Sequence, residues 1–179
     1  MQRRLACLSA ITHTEALTFV REDLLPLAAG VLGTVHAQWG EVTLRDTDRR
    51  VSPSDFGFHN ALREADGRLR FIDFEYAGWD DPAKVVCDFF CQPAAPVPVE
   101  HWDHFAAAVA EDLGDPPAHL ARFAALLQVY RLKWCCILLN DFLPSGSARR
   151  AFASGAPVTA EQQAAQLGKA RELLGKVRT

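Results

Sequence analysis

The feature that most constrains this chain is a helical spacing of apolar residues near its start. Leu17, Val20, Leu24, Ala28, Val31, Val35 and Trp39 recur at steps of three and four. At 3.6 residues per turn, that spacing lines one face of a helix and requires a packing partner. The pattern predicts helix over about residues 12–40. Pro26 breaks or kinks it, sitting in the first turn of a second helix, and Gly40 is its stop. Further helices are predicted over about 101–113, 119–142 and 159–177, separated by breaks at Gly114–Pro117 and Pro144–Gly146.

The middle of the chain reads differently. From Glu41 to Asp55 it is short, mixed and turn-rich. Ala61–Leu62 and Leu69–Ile72 then flank Asp66–Gly67, a dipeptide that suits a tight hairpin turn. Asp81 followed by Pro82 predicts an N-cap and first helical residue, opening a helix to about Phe90. Pro93 to Pro98 is a connector. The fold class expected is α+β and mainly helical, a single domain with residues 12–40 and 81–179 helical around a loop and small β-hairpin at 51–75.

With 179 residues, 49% of them hydrophobic and 23% charged, the chain can bury a sizeable core and does not read as disordered. A formal net charge of −3 and dispersed basic residues argue against a nucleic-acid partner. No apolar run reaches the length of a membrane span, and Arg3–Arg4 is not followed by a signal-peptide core. The five cysteines are odd in number, with Cys135–Cys136 inside an apolar run, so reduced thiols and a cytoplasmic location are expected.

The chemistry-bearing residues lie between Ser52 and Phe89. Asp55 and Asn60 are five apart on a loop entering the hairpin, and Asp73 stands where its second strand ends. A hairpin folds its two ends together, so the three are expected to converge. An Asp–Asn–Asp set of hard oxygen donors suits Mg²⁺, which is commonly held by one or two carboxylates plus substrate phosphates. Phosphoryl transfer needs such a set: one carboxylate to orient the acceptor hydroxyl, an amide and a second carboxylate for the metal.

These segments, S-P-S-D-F-G-F-H-N-A-L, F-I-D-F-E and D-D-P-A-K-V-V-C-D-F, resemble the catalytic and metal-binding loops of the aminoglycoside phosphotransferase and choline kinase-like families. Their catalytic loop usually reads H-G-D-x-x-x-x-N. The resemblance implies the C-terminal lobe of a protein kinase-like fold, ATP as phosphoryl donor, Mg²⁺, and a small-molecule hydroxyl acceptor such as an aminoglycoside, choline or a sugar. It implies Asp55 as the catalytic residue, Asn60 and Asp73 as metal ligands, and Asp88 as a structural acid bracing the loop. Pro53 and Ser54 replace the usual His and Gly. The family's β-rich N-terminal lobe, with its phosphate-clamping Lys, has no room before Asp55, and Lys84 and Lys133 fall after the loop. The chain is then a fragment or half of a split system that needs a missing or separate N-terminal lobe, or a degenerate relative, a non-catalytic binding or scaffold domain that does not hold ATP.

Other polar residues have ordinary readings. Glu75 and Asp80 read as solvated or helix-start acids, His59 as a packing or loop hydrogen-bonding residue, and Trp134 and Phe142 as core. Cys87-x-x-x-Cys91 with His101-x-x-His104 has zinc-ligand residue types, but a helix and a proline-rich segment fit those positions better.

Overall fold

The computed structural model describes residues 1–178, and the side chains of Ala153 and Ser154 are outside the description. The chain is mainly helical with two small antiparallel sheets. The helices are α1 (Gln2–Cys7), α2 (Thr14–Thr18), α3 (Leu25–Trp39), α4 (Pro82–Cys91), α5 (Trp102–Ala110), α6 (Pro116–Leu138), α7 (Pro144–Ser154) and α8 (Ala160–Leu174). The strands are β1 (Arg50–Ser52), β2 (Ala61–Arg63), β3 (Leu69–Phe71) and β4 (Gly78–Asp80). None of these helices is long and apolar enough to cross a membrane among the described residues.

The contacts divide the chain into two compact units: residues 1–37 with the chain from Gln128 onward, and residues 38–127. In the first unit the periodic face near the start does become core. Val20, Leu24 and Val31 are buried with Leu132, Leu139 and Leu167. Pro26 is the second residue of α3, directly after a π-helical segment at Phe19–Leu24. The helical path runs on through Pro26 without a break, and the wider π-helical turn before it is where a chain lacking that N–H is accommodated. Trp134 and Phe142 are buried, as their helical spacing predicts. Thr159 caps α8 in a capping box with Gln162. The expected break at Pro144–Gly146 is instead the start of α7, with Pro144 as first helical residue. A proline marks a helix beginning as readily as a stop, and the sequence pattern does not separate the two.

The second unit carries the sheets. Its apolar core gathers Ala83 and Val86 of α4, Ala106 and Ala110 of α5, Leu113, and Phe123 of α6. Asp81 caps α4 by accepting the Ala83 N–H at 2.9 Å. The Arg122 guanidinium grips both oxygens of the same carboxylate, tying the start of α4 to α6. Such a two-pronged Arg–carboxylate pair fixes geometry as well as contributing energy.

A second polar brace lies at Asp48, which is 3% exposed. Its carboxylate accepts from Arg45 Nε at 2.7 Å and from the Gly114 N–H at 3.0 Å, with His119 Nε2 at 3.5 Å. A Cβ on Gly114 would sit 1.7 Å from Arg45 Nη2, so any side chain here has to push the guanidinium off Asp48. The Arg45 hydrogen bond, then the Gly114 N–H, hold the Asp48 carboxyl down at about 2, below its ordinary 3.8. The unfolded chain therefore binds more protons between these values. The stability Asp48 contributes is complete above pH 3.8 and lost as pH falls towards about 2. Melting temperature followed across that window should fall more steeply in the wild type than in Asp48→Asn. Parallel curves would overturn the brace.

Candidate active site

The site is built by two nested ladders. The predicted hairpin is present as β2–β3, pairing Ala61 with Phe71 and Arg63 with Leu69. Gly67 takes φ +87 in its turn, a left-handed conformation that costs glycine nothing. Outside it lies a ladder the sequence pattern did not predict. β1 pairs antiparallel with β4, Arg50 opposite Asp80 and Ser52 opposite Gly78. The chain between β1 and β2 and the chain between β3 and β4 are thus forced to run side by side. The first carries Asp55 and Asn60, and the second carries Asp73.

The register continues into both loops. Next to the inner ladder, the Ile72 N–H donates to the Asn60 carbonyl at 2.9 Å, which brings Asn60 beside the residue preceding Asp73. Next to the outer ladder, Ser54 Oγ donates to the Tyr76 carbonyl at 2.7 Å. Asn60 is turned by its own side chain, whose Nδ2 donates to the Asp55 carbonyl at 3.0 Å. That orientation leaves Asn60 Oδ1 as the outward donor atom. The Asp73 side chain is exposed and makes no hydrogen bond or ion pair among the described residues.

Two backbone positions are strained. Among non-glycine residues, Ser54 (φ 71) and Asp73 (φ 65) adopt left-handed conformations. Each costs about 1–2 kcal/mol relative to ordinary backbone, and such positions persist only where surrounding contacts impose them. Both fall in the site, one immediately before Asp55 and the other at Asp73 itself. Asp73 is suited to it, since Asp and Asn tolerate this region better than most side chains.

Beneath the loop, Phe56 stacks with Phe71 (ring centres 4.7 Å apart) and with Phe89 of α4 (5.2 Å), while Phe89 meets Phe105 of α5 at 4.7 Å. Aromatic pairs at these distances pin the loop to the helices behind it. His59 lies over this support, with Nε2 3.2 Å from Asp55 Oδ2 and 3.2 Å from Gln92 Nε2. Gln92 is itself oriented, because its Oε1 accepts the Ala94 N–H at 2.9 Å. His59 thus takes the loop hydrogen-bonding part expected of it. Asp88 is buried on α4.

Several residues were not singled out by sequence reasoning, or were read differently. Asp80, still partly exposed, ends β4 directly before the capping residue of α4, and its Oδ2 lies 2.5 Å from Lys84 Nζ. Lys84 in turn donates to Ser54 Oγ at 3.0 Å. The i, i+4 spacing of Asp80 and Lys84 hinted at that ion pair. Nothing in the sequence placed Lys84, thirty residues on, beside Ser54.

In chemical terms, the two loops present two carboxylates and an amide oxygen, a hard donor set that fits Mg²⁺ in the presence of phosphate oxygens. Among the described residues, no three or more His, Cys, Asp or Glu side chains group to hold a metal ion on their own. Cys87 and Cys91 are buried, and Cys87 Sγ donates to the Phe123 carbonyl at 3.6 Å. Burial, and then the neighbouring Cys91, push the Cys87 thiol well above its ordinary range, as for a thiol packed in a core.

The chain matches no protein-family model, and neither curated proteins nor solved structures include a significant match to it. The functional reading therefore rests on the residues and their geometry.

Proposed function

We propose that this protein is the catalytic lobe of an ATP-dependent phosphotransferase acting on a hydroxyl of a small molecule, with nucleotide-gripping residues supplied by a missing or separate N-terminal lobe. The observation that carries the reading is the pairing of the two loops, which sets Asn60 beside the strand end leading to Asp73 and leaves an amide oxygen and a carboxylate open. A second observation agrees. The family motif has glycine where this chain has Ser54, and Ser54 folds into the left-handed region that glycine adopts freely.

In this reading Asp55 accepts a hydrogen bond from the acceptor hydroxyl and takes its proton. The hydroxyl oxygen forms a bond to the γ-phosphorus, and the bond from that phosphorus to the ADP oxygen breaks. Asn60 Oδ1 and the Asp73 carboxylate would hold Mg²⁺, which when bound neutralises charge on the phosphates. The aromatic stack under Phe56 keeps the carboxylate in place, since small misplacements of a reacting group are costly.

A non-catalytic binding or scaffold role is the second reading. It is favoured by Lys84, whose ammonium is already engaged by Asp80 and Ser54 rather than held ready for phosphate. Thermal-shift titration of the full chain with ATP, with and without Mg²⁺, separates the two. ATP binding by this chain itself predicts a saturable rise needing both components and lost in Asp73→Ala. Ligand at 100 times its dissociation constant adds about 2.7 kcal/mol, or roughly 5–10 °C for a chain of this size. A flat titration would rule out phosphotransfer by this chain acting alone and favour the scaffold reading, and absence of ATP turnover by the protein reconstituted with a nucleotide-binding lobe would overturn the phosphotransferase reading altogether.

A further inference from the structure

We propose that Ser54, Lys84 and Asp80 form a polar clamp that sets the spacing of the Asp55 and Asp73 loops, with Lys84 and Ser54 as positioning residues for the reaction. This inference rests on the phosphotransferase reading for its catalytic consequence, but not for the clamp itself.

The Ser54 hydroxyl is used in both of its capacities. Its proton goes to the Tyr76 carbonyl at 2.7 Å, on the loop that follows Asp73, and its oxygen accepts from Lys84 Nζ at 3.0 Å. Lys84 extends from α4 and is fixed by Asp80 Oδ2 at 2.5 Å, and Asp80 is the register partner of Arg50 across the outer ladder. The Ser54 N–H closes the turn onto Ser52 Oγ at 3.2 Å. One hydroxyl therefore joins the first loop, the second loop and α4, one residue before Asp55. Lys84 and Asp80 are both partly buried at this junction. A lone Ser–carbonyl bond at the surface would exchange readily with water. A charge-assisted donor on the same oxygen, itself paired to a carboxylate, holds it in place.

The left-handed backbone at Ser54 gives the idea its sharpest consequence. Glycine is the residue that this φ favours, so a chain selected only for backbone comfort would carry glycine here. Ser54 accepts strain and supplies an oxygen. Stability and function should therefore separate at this position. Ser54→Gly relieves the strain and removes the clamp, whereas Ser54→Ala removes the clamp and keeps the strain. Lys84→Met removes the ammonium and keeps much of the stem.

The test combines two measurements on the full chain. Backbone ¹⁵N relaxation reads the order of the two loops directly. In Ser54→Gly and Lys84→Met, order parameters at Asp55 and at residues 73–77 should fall from rigid values towards about 0.6, with the melting temperature of Ser54→Gly within about 2 °C of wild type. Unchanged order in both loops in both variants would overturn the clamp, whether or not the protein turns over ATP. The second measurement is the turnover of Mg·ATP with a hydroxyl acceptor. Each single variant should lose about 10–100-fold in kcat, in keeping with loosened positioning. The double variant should be no worse than either single one, because both break the same junction. Loosened loops with no ATP turnover by the wild type, alone or reconstituted with a nucleotide-binding lobe, would sink the phosphotransferase reading and leave the clamp standing. Loosened loops with wild-type kcat would overturn the positioning role.

Discussion

Replacing Asp55 with asparagine is expected to lower phosphoryl transfer to a hydroxyl acceptor by about 10²–10⁴-fold, the range that positioned general acid–base groups supply. Asparagine keeps the shape and can still accept a hydrogen bond, but cannot take the acceptor's proton. The loss should fall on kcat, with the KM for Mg·ATP nearly unchanged, because on the proposed reading Mg²⁺ is held by Asn60 and Asp73 rather than by Asp55. Asp73→Ala should show the opposite emphasis, raising the Mg²⁺ concentration needed for half-maximal rate. The Asp55 side chain is 51% exposed, so its replacement should move stability by no more than about 0.5 kcal/mol. Steady-state kinetics beside a melting curve checks both halves. Unchanged kcat in Asp55→Asn would remove that carboxylate from the reaction.

The largest stability effect is expected at Phe123. This side chain is fully buried among α4, α5 and α6 residues, with Val86, Ala106, Ala110 and Leu113 in the same cluster. Its backbone carbonyl accepts the Cys87 thiol, and the preceding Arg122 holds the cap of α4. Phe123→Ala removes the ring and leaves a cavity, which typically costs about 3–5 kcal/mol. That is a large share of the 5–15 kcal/mol, roughly, by which domains are stable. Phe152, also helical, is 92% exposed, and Phe152→Ala should stay within about 0.5 kcal/mol of wild type. Urea unfolding compares the pair. A lowered midpoint at an unchanged m-value is expected for Phe123→Ala, and a loss below about 1 kcal/mol would contradict the packing.

The contrast between these phenylalanines shows where sequence reading stops. Both stand in helices with arginine shortly before and alanine directly after, and nothing local separates them; one meets two other helices and the other meets solvent. The β1–β4 ladder is a second instance. Its strands are three residues long, too short for alternation to register, and its partners lie 26–30 positions apart. The exposed Val51 and Trp79, opposite each other, carry no burial signal either. The setting of Asp80 went unread for the same reason, since its i, i+4 partner Lys84 was visible but the strand it ends was not.

What the sequence determined by itself is what chemistry within a few residues controls. The Asp66–Gly67 turn makes the hairpin, Asp81–Pro82 opens α4, Thr159 caps α8, and the three- and four-residue apolar steps bury Val20, Leu24 and Val31. It also placed Asp55, Asn60 and Asp73 on the two arms of one hairpin, because a turn brings its own flanks together. Only the tertiary structure decided how those arms are held. The outer ladder, the aromatic stack under Phe56 and the Lys84–Ser54 contact each join residues fifteen or more apart. Such contacts form only once loop-closure entropy has been offset by many others at the same time. No local window of sequence contains them, and the left-handed backbone at Ser54 exists only because they are there.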